Sequence, residues 1–502
     1  MMRTRAGHVL ERTLGAPRGL VAIWLAALLL SVAVGALNPN RVGVGFALVM
    51  WLSALVLTSG LYPPGGAASW FDIAFLAGLV TWVAFGLRTL LLLAGLLDRT
   101  SALALLPGYG EFSDADLAAV ALAVVTWTAV VAAYRLPFGA SLGRRVPDFA
   151  IRSTDATALA VIAVAFAGVG WIARVILFIK YPTPFEHLAP GTMSSSDTLL
   201  TWLTVLTTVA VGLALYLAVF LRAGRLAIVF AAVLVLAEIG AGVATGTRAV
   251  LVSTVITVVV ALSIAGVLRV RPWHLVLVPI VLLLYGATWM YRTVPVDPTQ
   301  APAVGTRAGA ALSAIVAAGP VGVLEAGAAN FVDRYPGVEI VRQIIVMGQP
   351  ARLDWGGRYI LAVPLVVVPR FAWPGKPVSS LPQEFGVQYL YAPRESNVPI
   401  AVTWVGDLSL SFPFLLVPVA AMALGVALRV LNETGRRSRA RAGLLAVGYI
   451  TLVPIVIQSD GWIDVQIYQV VHVVVILVGA GLLIVLTRRA VAWRSERAVA
   501  SG

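Results

Sequence analysis

The chain has 502 residues, of which 60% are hydrophobic and only 12% charged, and its mean hydropathy is +0.94. That balance excludes a water-soluble enzyme with a single anchor and describes a polytopic membrane protein. With no cysteine, disulfides, zinc–thiolate sites, iron–sulfur clusters and thiol nucleophiles are excluded, and the scattered His8, His187, His274 and His472 do not make a His-rich metal site.

In chain order, Arg3, Arg5, Arg12 and Arg18 precede the first apolar run, and no small-residue cleavage pattern follows, so residues 1–19 read as a cytoplasmic tail. Apolar runs long enough to span a bilayer lie near 20–37, 43–61, 73–97, 117–136, 157–179, 198–221, 226–244, 249–268, 273–291, 400–430, 442–459 and 466–487. The expected fold is therefore all-α, with about twelve transmembrane helices. Helices 1–9 occupy residues 20–291 and helices 10–12 residues 400–487, with a long external loop at 292–399 and a cytoplasmic tail at 488–502.

Alternating sides from an inside start puts well over half of the 36 Lys and Arg residues in the cytoplasm. The short outer loops keep only Arg41, Arg99, Lys180 and Arg248, as the positive-inside rule requires. The net charge of +13 is thus mostly topology and inner-leaflet attraction, and nucleic acid is not an expected partner. Loop 292–399 is long enough to be exempt, so its cations are free to serve function. Residues 305–329 read as an Ala-rich, partly amphipathic helix over the membrane.

Residues 354–377, DWGGRYILAVPLVVVPRFAWPGKP, are too short and too proline-broken for a span and too apolar for a water-exposed loop. Such backbone persists at membrane depth only inside protein or beside a wet cavity. One reading is a re-entrant or interfacial segment that brings Arg358, Arg370 and Lys376 to an anionic lipid headgroup; the other is an apolar loop packed on the bundle. On the same expected face lies Thr245-Gly246-Thr247-Arg248, between helices seven and eight. Its hydroxyls, turn N–H groups and guanidinium suit phosphate oxygens, although a helix C-cap followed by a snorkelling arginine explains it equally simply.

TGTRAVLV, one more helix pair, then a long outer loop with GGRYILAVPLVVVPRFAWPGKP and EFGVQY, together resemble the bacterial oligosaccharide repeat-unit polymerases of the Wzy type, whose relatives include the O-antigen ligases. The resemblance covers roughly residues 226–430. It implies a membrane glycosyltransferase on the outer side of the cytoplasmic membrane, with both termini inside. The implied substrate is a polyprenyl-diphosphate-linked oligosaccharide, moved onto the sugar end of another carrier-linked unit, with membrane lipid, a chain-length regulator and a flippase as partners and no cofactor. Residue by residue, the resemblance puts Arg248, Arg358, Arg370 and Lys376 at the diphosphate.

Breaking an anomeric bond to a diphosphate without a metal leaves stabilisation of the leaving group to arginine and lysine. The acceptor hydroxyl needs a base, for which Glu238 and Asp407 are the candidates; each lies about six residues below the outer end of its expected helix, roughly 9 Å deep. The alternative for both is an internal ion pair with Arg88 or Arg174. Trp355, Tyr359, Trp373, Phe385, Tyr389 and Tyr391 offer faces to a glycan, Trp355, Tyr359, Trp373 and Tyr389 foremost. His187 reads as an exposed loop residue and His472 as a packed histidine.

Glu111, Asp114 and Asp116 resemble the metal-binding acidic pair of some lipid-sugar glycosyltransferases, but a helix N-cap at Ser113 or Asp114 with acids in the first turn explains them more cheaply. Trp462, in the turn between helices eleven and twelve, reads as an interfacial tryptophan. The competing classes are the ligase branch, with the same donor and another acceptor, and a flippase or transporter. Carriers often show related halves with broken midplane helices; the irregular backbone here is confined to one loop, which favours an enzyme.

Overall fold

A computed structural model describes residues 18–37, 40–61, 72–96, 112–181, 194–245, 248–268, 277–294, 304–350, 353–368, 373, 381–390, 400–441, 443–458 and 461–500. All of its named elements are helical; pairing of the β kind is limited, among the described residues, to an isolated bridge between Ala150 and Gly443.

The first half runs α1 (Arg18–Leu37), α2 (Arg41–Leu61), α3 (Ile73–Leu93), α4 (Asp114–Arg135), α5 (Pro137–Arg145) and α6 (Ala156–Lys180). Next come α7 (Ser195–Leu215, continued as a π-helix over Tyr216–Phe220), α8 (Arg225–Ala244), α9 (Arg248–Ile264) and α10 (Leu277–Thr293). The rest is α11 (Val304–Arg334), α12 (Gly337–Met347), α13 (Gly357–Val367), α14 (Leu381–Tyr389), α15 (Trp404–Ser411), α16 (Val417–Arg441), α17 (Leu445–Val456) and α18 (Ile463–Ala500).

Among the described residues nine helices are long and apolar enough to cross a membrane, so the chain is a multi-pass helical membrane protein. Shorter apolar helices at Ala22–Val34, Ala249–Ile264 and Leu445–Val456 fall on three further expected spans. Two features depart from the sequence reading. The tenth expected span, 400–430, is broken: α15 ends at Phe412–Pro413 and the spanning stretch is Phe414–Arg439, because Pro413 cannot donate to the helical ladder. Residues 305–329, expected to lie over the membrane, fall largely in Gly309–Met347, which is itself apolar and long enough to cross, with a break at Gly319 (φ 64°) before Pro320.

Local chemistry sets the helix starts. Ser113 and Asp116 form a reciprocal capping box at the head of α4, and Ser194 and Asp197 form another at α7. Asp114 and Asp116 therefore stand in the first turn of the helix, Asp116 as its cap partner, while Glu111 lies outside the described residues. α4 packs along α16, α6 along α7, and α10 along α11. At the last crossing Gly286 and Gly327 face each other so closely that a methyl group on either would overlap the opposing carbonyl, the small-residue contact by which membrane helices approach.

Candidate functional site

The chain after α11 is seated in the bundle by two buried ion pairs. Residues 337–344 of α12 are buried. Glu339 pairs with Arg88 of α3 at 2.6 Å, and Arg342 with Asp116 of α4 at 3.5 Å. Arg88 also donates to the Val332 carbonyl at 3.2 Å. At the far end of α12, the Gln349 amide donates to the carbonyls of Ser409 (2.5 Å) and Phe412 (2.7 Å), binding the strand of chain before Asp354 to the end of α15.

The DWGG turn follows. The Trp355 N–H donates to Ser411 O at 3.0 Å, and Gly356 N–H to the Asp354 carboxylate at 3.0 Å. Gly356 adopts φ 76°, which glycine tolerates, but Trp355 adopts φ 52°, which a side chain rarely does. Its ring meets the edge of Phe412 at 6.3 Å and is still 60% exposed. An aromatic held outward in a strained conformation is a contact surface whose cost is met elsewhere. Trp355→Gly should therefore raise thermal stability by up to about 1 kcal/mol, read as a higher melting temperature.

This turn aims Arg358. Its Nη2 donates to the Asp407 carbonyl at 2.8 Å and, in a very short contact, to Asp407 Oδ1. Its Nε faces the Asp354 carboxylate at 3.5 Å and has no hydrogen-bond partner among the described residues. The guanidinium sits 5.2 Å from the Tyr359 ring centre and 5.6 Å from that of Trp462, within the range of cation–π attraction. The Tyr359 hydroxyl lies 3.3 Å from the Asp407 carbonyl and accepts from Ser411 at 3.1 Å.

Asp407 is fully buried, ahead of the span that begins at Phe414. Burial pushes its carboxyl up, and the Arg358 guanidinium and the Ile463 N–H (2.7 Å) pull it back. With one oxygen on Arg358 and the other capping α18, Asp407 has both carboxylate oxygens engaged. Asp464, buried in the first turn of α18, adds a further negative field on Asp407. Asp354 is the more accessible of these acids, its side chain 35% exposed.

The structure thus brings together Arg358, Tyr359 and Asp407, with Trp355 at the rim. Trp373 is half-buried. Tyr389 is a core residue: it is buried, its ring stacks on Phe385 at 4.8 Å, and its hydroxyl donates to Gly348 O at 3.3 Å, so no open face is left for a sugar. Trp462 is likewise buried, with its indole N–H on Ile400 O at 2.8 Å. Arg248 heads α9, but its side chain lies outside the described residues, as do Arg370 and Lys376. Two acids escaped the sequence reading, Asp354 and Asp464. The first was signalled by its i,i+4 spacing to Arg358, the second only by a helix start.

Glu238 belongs to a different place. Inside the membrane region it pairs with Arg174 at 2.9 Å, and Arg174 also donates to Thr207 at 2.9 Å. The pair lines a cavity of about 220 Å³ that also takes in Ser253, Thr254, Gln458 and Gln469. Both candidate carboxylates therefore have cationic partners, while Arg88 takes Glu339. A polar thread joins the two regions: Gln458 donates to Ser253 (3.2 Å), Gln466 to Gln458 O, and the Trp404 indole to Gln466 (2.8 Å). His472 packs on the Trp202 ring at 4.1 Å. No group of three or more His, Asp or Glu side chains among the described residues is arranged to hold a metal ion. Compared with known proteins, the chain matches no family model, and no curated protein or solved structure is significantly similar to it.

Proposed function

We propose that the chain is a membrane glycosyltransferase that polymerises polyprenyl-diphosphate-linked oligosaccharides on the outer face of a bacterial cytoplasmic membrane. The observation that supports it most is the Arg358 cluster: a guanidinium fixed by a buried aspartate, its buried Nε without a hydrogen-bond partner among the described residues, with an exposed tryptophan and an accessible carboxylate beside it. Cation, carboxylate and aromatic face are the three chemistries a diphosphate leaving group, an attacking hydroxyl and a sugar ring require. The resemblance around TGTR and GGRY points the same way, and the arginine distribution puts the termini inside.

In the reaction, an acceptor hydroxyl oxygen attacks the anomeric carbon of the donor. The bond from that carbon to the diphosphate oxygen breaks, its electron pair stays on the diphosphate, and the hydroxyl proton passes to a carboxylate. Arg358 receives the developing charge, together with Arg248, Arg370 and Lys376. Asp407 holds Arg358, and the proton falls to Asp354, whose carboxylate is exposed next to it. Asp354→Asn is expected to lower transfer by about 10²–10⁴-fold, read as the single-turnover rate. An unchanged rate would return the base to another group.

A second reading rests on the Arg174–Glu238 cavity, since ionisable groups at membrane depth mark transport paths as often as chemistry. A flippase would move a fluorescent lipid-linked oligosaccharide across vesicles, and Glu238→Gln would stop it; under the polymerase reading neither movement nor its loss is expected. Transfer of a single unit onto an added lipid acceptor would select the ligase branch.

A further inference from the structure

The end of α7 is wide and strained. Over Tyr216–Phe220 the helix opens to π geometry, and its closing bonds run from Leu221 N–H to Tyr216 O at 3.2 Å and from Ala223 N–H to Leu217 O at 3.0 Å. Such π turns are rare and frequently lie at functional positions. The chain then turns through Arg222 at φ 48°, a left-handed conformation that helix ends normally give to glycine. A glycine is in fact used two residues later, Gly224 at φ 95°. The arginine side chain is thus kept at a position whose backbone disfavours it.

The widened end borders an open cleft of about 450 Å³ between α7, α8 and α9. Its walls are apolar and its floor is kept low by Ala218, Ala231 and Ala232; Arg222 is the charged residue of its lining among the described residues. Ile228 of the lining is exposed, as are Val229 and Val233 elsewhere on α8, as side chains facing lipid are. A cleft with so few polar partners does not hold water well, whereas a hydrocarbon chain fills it favourably. The cation at its rim selects what that chain carries. Arg222 and the neighbouring Arg225 also fall on the side assigned to the cytoplasm, where anionic lipid is concentrated.

We infer that this cleft binds one acyl chain of an anionic glycerophospholipid, with the lipid phosphate on Arg222. The inference is independent of glycan transfer. It is tested by native mass spectrometry of the delipidated protein, titrated with phosphatidylglycerol or with phosphatidylcholine of the same chains. The wild type is expected to bind its first phosphatidylglycerol about fivefold more tightly, the effect of one arginine near an anionic headgroup. Arg222→Gln should abolish the preference. Ala232→Phe or Ala218→Phe, which fill the cleft and keep the cation, should abolish it as well. Arg225→Gln, outside the lining, should retain it. Equal binding of the two lipids by the wild type, or a preference that survives Arg222→Gln or both filling variants, would overturn the inference. Melting curves without lipid identify any variant that fails to fold, and the remaining variants then decide.

Discussion

Arg358→Lys is expected to lower transfer about 10²–10³-fold, the effect of removing oriented donors from a developing anion, while melting temperature stays close to wild type. The reason is geometric. Nη2 is taken by Asp407 through both its carbonyl and its carboxylate, and Nε lies buried beside Asp354 with no hydrogen-bond partner among the described residues. A planar fork can do both at once; an ammonium on a flexible stem cannot. Asp407→Asn, which keeps the shape and loses the charge, is expected to act through Arg358 and to raise the donor KM more than it lowers kcat. Single-turnover rates and KM for the two variants check this pair of expectations. Near-normal transfer by Arg358→Lys would remove the cluster from the reaction.

Arg88→Met is expected to cost about 3–5 kcal/mol of stability, because it strands Glu339 as an unpaired charge in a fully buried site. The double variant Arg88→Met/Glu339→Leu should recover most of that loss, since two apolar side chains of similar size replace a desolvated pair. Denaturant unfolding in detergent measures both. Transfer activity should follow the same order, because α12 leads through Gln349 into the turn that aims Arg358. A double variant as unstable as the single one would show that Arg88 is held by its contacts to Val332 and Asp333 and not by Glu339.

Most of the helices were legible because lipid forces long apolar runs. The N-cap at Ser113 was legible from the acids of the turn that follows it. Arg358 stood out as a cation in an apolar segment. Asp407 could be seen as a charge at membrane depth, but not that both its oxygens are taken, since Ile463 and Arg358 are far from it in sequence. The same limit hid Glu339 as the partner of Arg88, because local composition places a charge in the membrane and does not say which distant helix supplies its counter-ion; for Glu238 the ion-pair alternative with Arg174 is the one the fold contains. Tyr389 failed as a sugar contact because aromatic residues in a loop read alike whether they face solvent or, as here, stack on Phe385. The apolar character of Gly309–Met347 was diluted in the sequence by its alanines and glycines, so a helix long enough to cross read as one lying on the surface.

The most direct test is to give the purified protein, in lipid vesicles, a polyprenyl-diphosphate oligosaccharide alone and to resolve the products by size. A ladder of increasing repeat units is expected from the wild type and not from Arg358→Lys. Unchanged substrate in every lane, with the protein folded and the substrate accessible, would contradict glycan transfer at the Arg358 cluster.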